Sequence, residues 1–120
     1  MADLHELRES LSTETLDVRR AVNSIIEELN AYDWYQQRVD ATKDEELRAV
    51  LAHNRDEEIE HASMILEYLR RKSSLFDTNL KQFLFTTADI TLLEGKKNGE
   101  GTQRLAIPPL VATLGSLRKK

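Results

Sequence analysis

Apolar and polar positions in this chain repeat with a helical period over two long segments. From about Thr13 to Asp40, the positions Ala21, Ile25, Glu28, Tyr32, Tyr35 and Val39 are spaced 4, 3, 4, 3 and 4 apart, which is one stripe of an α-helix. Ser12 stands just before it as the predicted N-cap. The second stripe reads Leu47, Leu51, Asn54, Glu58, His61, Ile65 and Tyr68, with the same alternation. Asp40-Ala41-Thr42 reads as the turn, and Thr42 with Glu45 reads as a capping box that opens the second helix. Arg70, Arg71 and Lys72 suit its C-terminus, where the helix dipole favours cations. Each helix would be roughly 42–45 Å long at about 1.5 Å per residue. A short connection makes the two antiparallel. A two-helix hairpin has too few faces to bury its own stripes, so the pattern predicts a partner.

Ser73 or Ser74 can cap a shorter third helix running to about Thr86, with Leu75, Phe76, Leu80, Phe83 and Leu84 on one side. Gly95 to Gln103 reads as a flexible linker. The following tail, Arg104 to Lys120, carries Pro108-Pro109 and then Leu110, Val111, Leu114 and Leu117, too short and broken to fold alone. The expected organisation is a helical domain over 1–94, a linker over 95–104 and a tail over 105–120. The fold class is all-α: an antiparallel hairpin plus a short helix, dimerising into a four-helix bundle.

Composition changes this picture little. The chain has 120 residues, two prolines, four glycines and no cysteine, so it is at most one domain and has no disulfide or thiolate chemistry. Mean hydropathy is −0.52, and no apolar run approaches the roughly 18 residues of a membrane span. Met1 to Leu11 lacks the basic and apolar regions of a signal peptide, which makes a cytoplasmic location the expectation. Charge is more telling. The net charge is −4, but residues 95–120 carry six basic groups against Glu100, a net +5, which leaves −9 on residues 1–94. An acidic body repels nucleic acid and attracts cations, although acidic helices are also simply soluble.

The chemistry lies where polar residues interrupt the stripes. Glu28 sits between Ile25 and Tyr32, and Asn54, Glu58 and His61 interrupt Leu, Ile and Tyr. A buried carboxylate without a partner protonates or finds a cation. Both interruptions lie near mid-helix, at nearly the same height in an antiparallel hairpin. Glu58 and His61 form a Glu-x-x-His sequence, whose three-residue spacing lets a carboxylate and an imidazole grip one metal. Di-iron bundles use a Glu from each of two helices and a Glu-x-x-His from each of the other two. This chain has one helix of each kind, so two copies complete the set. Oxygen and nitrogen ligands together suit iron or manganese without excluding zinc. Glu-x-x-His alone is a weak signal, because most matches are solvated helix positions. His61 can also be a satisfied core histidine, and Glu28 an ion-pair partner of Arg55. The conjunction of two interrupted stripes at one height favours metal. Glu57 and Glu60 flank the stripe as supporting groups or water-facing ones. Tyr35, two turns beyond Glu28, can hydrogen-bond a ligand or be ordinary aromatic core. Trp34 is expected at an interface, and His5 and His53 on the surface without partners.

Asp33-Trp34-Tyr35-Gln36-Gln37-Arg38-Val39-Asp40-Ala41 and Ala52-His53-Asn54-Arg55-Asp56-Glu57-Glu58-Ile59-Glu60-His61-Ala62 resemble the two hallmark segments of encapsulated ferritins, and Arg70-Arg71 and Phe83-Leu84-Phe85-Thr86 resemble the stretch that follows. The similarity spans about residues 12–94. The resemblance implies a half-size ferritin whose hairpin dimerises into a four-helix bundle and assembles as a decameric ring of five dimers. It implies a ferroxidase centre at the dimer interface with Glu28, Glu58 and His61 as iron ligands, Tyr35 beside them, and Trp34 on the path of the iron. It also implies an outer acidic site made by two glutamates three apart. Glu27 matches the first, but Asn30 stands at the second.

The tail carries a separate resemblance. Thr113-Leu114-Gly115-Ser116-Leu117-Arg118 is similar to the short peptides that load cargo into encapsulin shells. Leu114 and Leu117 suit small apolar pockets, Gly115 permits a sharp conformation, Ser116 lies between them, and Arg118 can pair with an acid. Many such tails on one ring would bind a shell together. The expectation is therefore an enzyme that oxidises ferrous iron with dioxygen between two subunits, inside an encapsulin nanocompartment. The rival expectations are a metal buffer without turnover and a purely structural hairpin.

Overall fold

The computed structural model describes residues 4–95. The described residues fall into two units, divided between Lys72 and Ser73.

The first unit is the hairpin. A single 3-10 turn, Arg8–Ser10, precedes α1, Thr13–Ala41, and α2, Glu45–Lys72, returns alongside it. Ser12 caps α1 as its sequence predicts: its hydroxyl accepts the Thr15 N–H at 3.0 Å. The other helix start departs from expectation. Asp44, not Thr42, caps α2, its carboxylate accepting the Leu47 N–H at 2.8 Å. Thr42 is already spent at the end of α1, where its N–H closes on the Arg38 carbonyl at 2.9 Å in extended backbone. One residue cannot end one helix and hold the next one's first turn, so the cap moves two positions on.

The C-terminal turn of α2 is locked by charge. Arg70 grips Glu67 with two 2.8 Å bonds, and Arg71 adds a third at 2.7 Å. These two guanidinium groups lower the Glu67 carboxyl to about 2.

The hairpin's buried row differs from the sequence stripe. Val39 is buried on α1, but on α2 the buried residues are Ala62 and Leu69. Each follows directly after a stripe position, His61 or Tyr68, and one residue turns a helix by about 100°. The α2 stripe is thus left on the hairpin's flank, whereas the α1 stripe keeps Val39 in the buried row. Of the stripe positions, Tyr32, Leu47 and Tyr68 remain 36 %, 50 % and 37 % exposed, and Met64, next to the α2 stripe, is 61 % exposed. Apolar surface exposed to this extent is suited to contact with another element.

In the second unit, Ser73 caps α3, Ser74–Phe83, by accepting the Phe76 N–H at 3.2 Å. The helix stops before the expected Thr86. Leu84 closes on the Leu80 carbonyl at 2.8 Å, and Phe85 then takes a left-handed φ of 58°, which no helix can continue through. Thr86 instead donates its hydroxyl to the Phe83 carbonyl at 2.9 Å. A 3-10 turn, Ile90–Leu93, follows, and Gln82 donates to the carbonyl of the fully buried Leu93. The expected linker beyond Gly95 and the tail with Leu114 to Arg118 lie outside the described residues.

Candidate metal centre

Glu28 comes from the middle of α1, and Glu58 and His61 from the facing part of α2. Their helices bring them together as the height match predicts. One donor atom from each lies within 4.8 Å of the others, and among the described residues this is the one such group of three. His61 Nδ1 stands 3.6 Å from Glu28 Oε2 and 3.6 Å from Glu58 Oε1. The carboxylates are mostly covered, at 26 % and 20 % exposed, while the imidazole is 46 % exposed. The site therefore faces outward along the same flank as the uncovered stripe.

Electrostatics set the demand. Glu28 is held above its ordinary carboxyl value, first by its hydrogen bond with Glu58, then by burial and by the Glu58 charge, while His61 pulls the other way. Two carboxylates this close repel unless a proton or a cation stands between them. The separations fit a metal. Two donors 3.6 Å apart subtend about 120° at an ion about 2.1 Å from each, within the range of nitrogen and oxygen coordination. Two carboxylates and an imidazole suit iron, manganese or zinc. Three protein donors leave positions for further ligands.

An open groove of about 520 Å³ leads away from the cluster between the helices, lined by Ser24, Ala21 and Asp17 on α1 and by Met64, Ile65 and Tyr68 on α2. The α1 residues continue the Glu28 stripe towards the N-terminus at spacings of 4, 3 and 4. That signal was present in the sequence, although Asp17 and Ser24 are too polar to mark an apolar stripe.

Other anticipated residues take varied places. Tyr35 is half-buried two turns along α1, about 10 Å from Glu28 in axial rise, with the Arg38 guanidinium 5.4 Å from its ring centroid. Trp34 is 53 % exposed. Arg55 does not pair with Glu28; it donates to Gln36 Oε1 at 3.0 Å across the hairpin and reaches Asp56. His53 is exposed as expected but has a partner, Glu57, at 3.4 Å. Glu27 lies one residue from Glu28 and so points elsewhere. It lines a different groove with Arg8, Arg19 and Arg20.

The EncFtn-like family model matches residues 3–87. The chain belongs to the EncFtn-like family. It is 52 % identical over 99 residues to an encapsulated ferritin-like protein of Rhodospirillum rubrum, covering 82 % of this chain and 71 % of that one. An encapsulin nanocompartment cargo protein of Myxococcus xanthus is 38 % identical over 68 residues, 56 % of this chain and 52 % of that one. A crystal structure of a Nitrosomonas europaea protein superposes with a TM-score of 0.70 at 54 % identity, covering 74 % of this chain and 98 % of that one. The EncFtn-like assignment and the all-helical architecture agree: α1, α2 and α3 make up the fold, and no described helix is long and apolar enough to cross a membrane.

Proposed function

We propose that two copies of this chain pair through the exposed hairpin flank and complete a di-iron centre that oxidises ferrous iron with dioxygen. The observation that carries this reading is the Glu28–Glu58–His61 cluster, half of a four-Glu, two-His ligand set, open on the side where the stripe is uncovered. Ferrous iron is the substrate. Two ions bind between the chains, each gives up one electron towards dioxygen, and ferric iron leaves for mineral storage. Glu28 and Glu58 are suited to bridge the two irons, and each His61 to end one side. The carboxylates draw in the cations and favour the ferric product by their charge. Tyr35 is assigned a place beside the assembled site, and Trp34 one on the way to it.

The family and the Myxococcus xanthus relative support an encapsulin-associated role in iron handling. We assign Leu114, Gly115, Ser116, Leu117 and Arg118 to docking on the inner wall of an encapsulin shell, with the dimers arranged as a decameric ring inside it. Removing residues 105–120 should abolish co-purification with the shell protein while leaving iron oxidation intact.

The deciding experiment adds ferrous iron in air to the native protein and to Glu58→Ala and follows ferric absorbance. Oxidation well above the buffer rate in the native protein alone supports the centre. Buffer-rate oxidation in both rejects turnover, and metal analysis of the same samples then separates a metal buffer from a structural hairpin.

A further inference from the structure

Ala62 and Leu69, the buried residues of α2, stand seven apart, and Arg55 stands seven before Ala62. Seven residues make nearly two turns, so Arg55 continues the row that packs against α1. Its side chain is only 25 % exposed, and its guanidinium crosses the hairpin, Nη1 donating to Gln36 Oε1 at 3.0 Å. We propose that Arg55 and Gln36 form a clasp that positions the metal centre, setting the rotation of α2 at which Glu58 and His61 face Glu28. This role rests on the reading of those three residues as metal ligands.

A guanidinium in the tightest row of a helix needs a reason. Covering it costs free energy unless its donors are bonded, and an apolar side chain of similar volume often packs there at least as well. What a hydrogen-bonded polar group adds is direction. Apolar contacts such as those of Ala62 and Leu69 tolerate a range of helix rotations, whereas a bond between two fixed groups does not.

Both groups are fixed. Arg55 is braced on its own helix, with Nε and Nη2 at 3.0 and 2.9 Å from Asp56 Oδ1. The Gln36 amide nitrogen donates to Asp40 at 3.0 Å, one turn on along α1. That bond decides which end of the amide meets Arg55: reversed, the amide would turn its N–H groups on the guanidinium and its carbonyl on a carboxylate. The Asp40–Gln36–Arg55–Asp56 chain thus reaches from one helix to the other with every link oriented.

The clasp lies where rotation matters. Arg55 is three residues before Glu58, so it acts about one turn, roughly 4.5 Å, from a ligand. The short connection between α1 and α2 limits how far the helices slide but not how each turns about its own axis. A rotation of about 20° moves a side-chain tip about 5–6 Å from the axis by about 2 Å. The His61 and carboxylate donors are only 3.6 Å apart, and a ligand set must hold its geometry to within about 0.5 Å.

Cobalt(II) is the probe, because its visible absorption reports coordination number and geometry. It is titrated into the full native chain, Arg55→Met, Gln36→Met and the double variant, with helicity, Tm and light scattering recorded on each. Methionine keeps the apolar stem and removes the polar end. Saturable binding is expected in the native protein. Each single variant should bind about tenfold more weakly, the lower end of what groups that orient metal ligands contribute, with a changed visible spectrum. The double variant should be no weaker than either single one, because both lose the same bond. Charge alone predicts the opposite sign, since removing a cation one turn from Glu58 should tighten binding. Unchanged or tighter binding in Arg55→Met overturns the clasp, as does a double variant whose losses multiply. A lower Tm with native cobalt affinity and spectrum overturns it too, since the contact would then serve the fold alone. If Arg55→Met loses helicity, Gln36→Met decides by the same criteria, because it keeps the Arg55–Asp56 pair. Absence of cobalt binding in the native chain rejects the metal centre itself, and the clasp with it.

Discussion

His61 of α2 stands 3.6 Å from Glu28 of α1, the same distance that separates it from Glu58 within its own helix. An imidazole equidistant from a carboxylate on each helix ties the hairpin at mid-height. It also leaves about half of its own surface open, at 46 % exposed.

Pairing can be separated from ligation. Met64 is 61 % exposed on the flank beside His61 and provides no ligand. Met64→Glu should hold the chain as a monomer by light scattering and reduce ferrous oxidation to the buffer rate, with helicity unchanged. A monomer that still turns over would show one hairpin to be sufficient.

Glu28→Gln tests the charge balance of the site. The folded protein raises this carboxyl above its ordinary value, so ionisation opposes folding as pH rises from that value through the raised one. At neutral pH without metal the neutral amide should therefore raise Tm by about a few degrees, because one of two repelling carboxylates is removed. Added ferrous or zinc ions should raise Tm in the native protein but not in the variant. Lower metal-free stability in Glu28→Gln would mean that the hydrogen bond to Glu58 outweighs the repulsion.

The cap assignment has its own check. Asp44→Ala should cost about 1 kcal/mol, the usual worth of an N-cap side chain, and Thr42→Ala clearly less. Chemical denaturation of both variants would read the difference. Equal losses would restore Thr42 as a cap.

Glu67 predicts a pH response of opposite sign to that of Glu28. Its carboxyl is lowered to about 2 by Arg70 and Arg71, so its ionised form supports the fold above its ordinary value of 4.5. That support fades as pH falls from there through about 2. Glu67→Gln should lower Tm slightly at neutral pH, and the gap should close on acidification and shrink in high salt. A gap that persists at pH 2 would point to packing rather than charge.

Much of this protein was legible in one dimension. Helical periodicity is a local property, so the two long helices, the Ser12 cap and the antiparallel hairpin follow from spacing and residue type, whereas the choice of Ser73 over Ser74 was made by the fold. Glu28, Glu58 and His61 stand out because apolar stripes tolerate a charge only for a reason, and equal distances from a turn become equal heights. Choices between neighbouring residues were decided only in three dimensions. Thr42 and Asp44 both suit a helix start, and the closure of α1 on Thr42 left Asp44 the task. On α2, Ala62 and Leu69 took the buried row because two packed helices rotate to bring their closest-fitting sides together, which pushed that helix's stripe to the flank. Arg55 found Gln36 rather than Glu28, and Arg8 joined Arg19 and Arg20 beside Glu27 through a backbone turn that no helical spacing encodes. Period and polarity are written along the chain, whereas the rotation of each helix and the partners of long, flexible side chains are set by what the fold brings within reach.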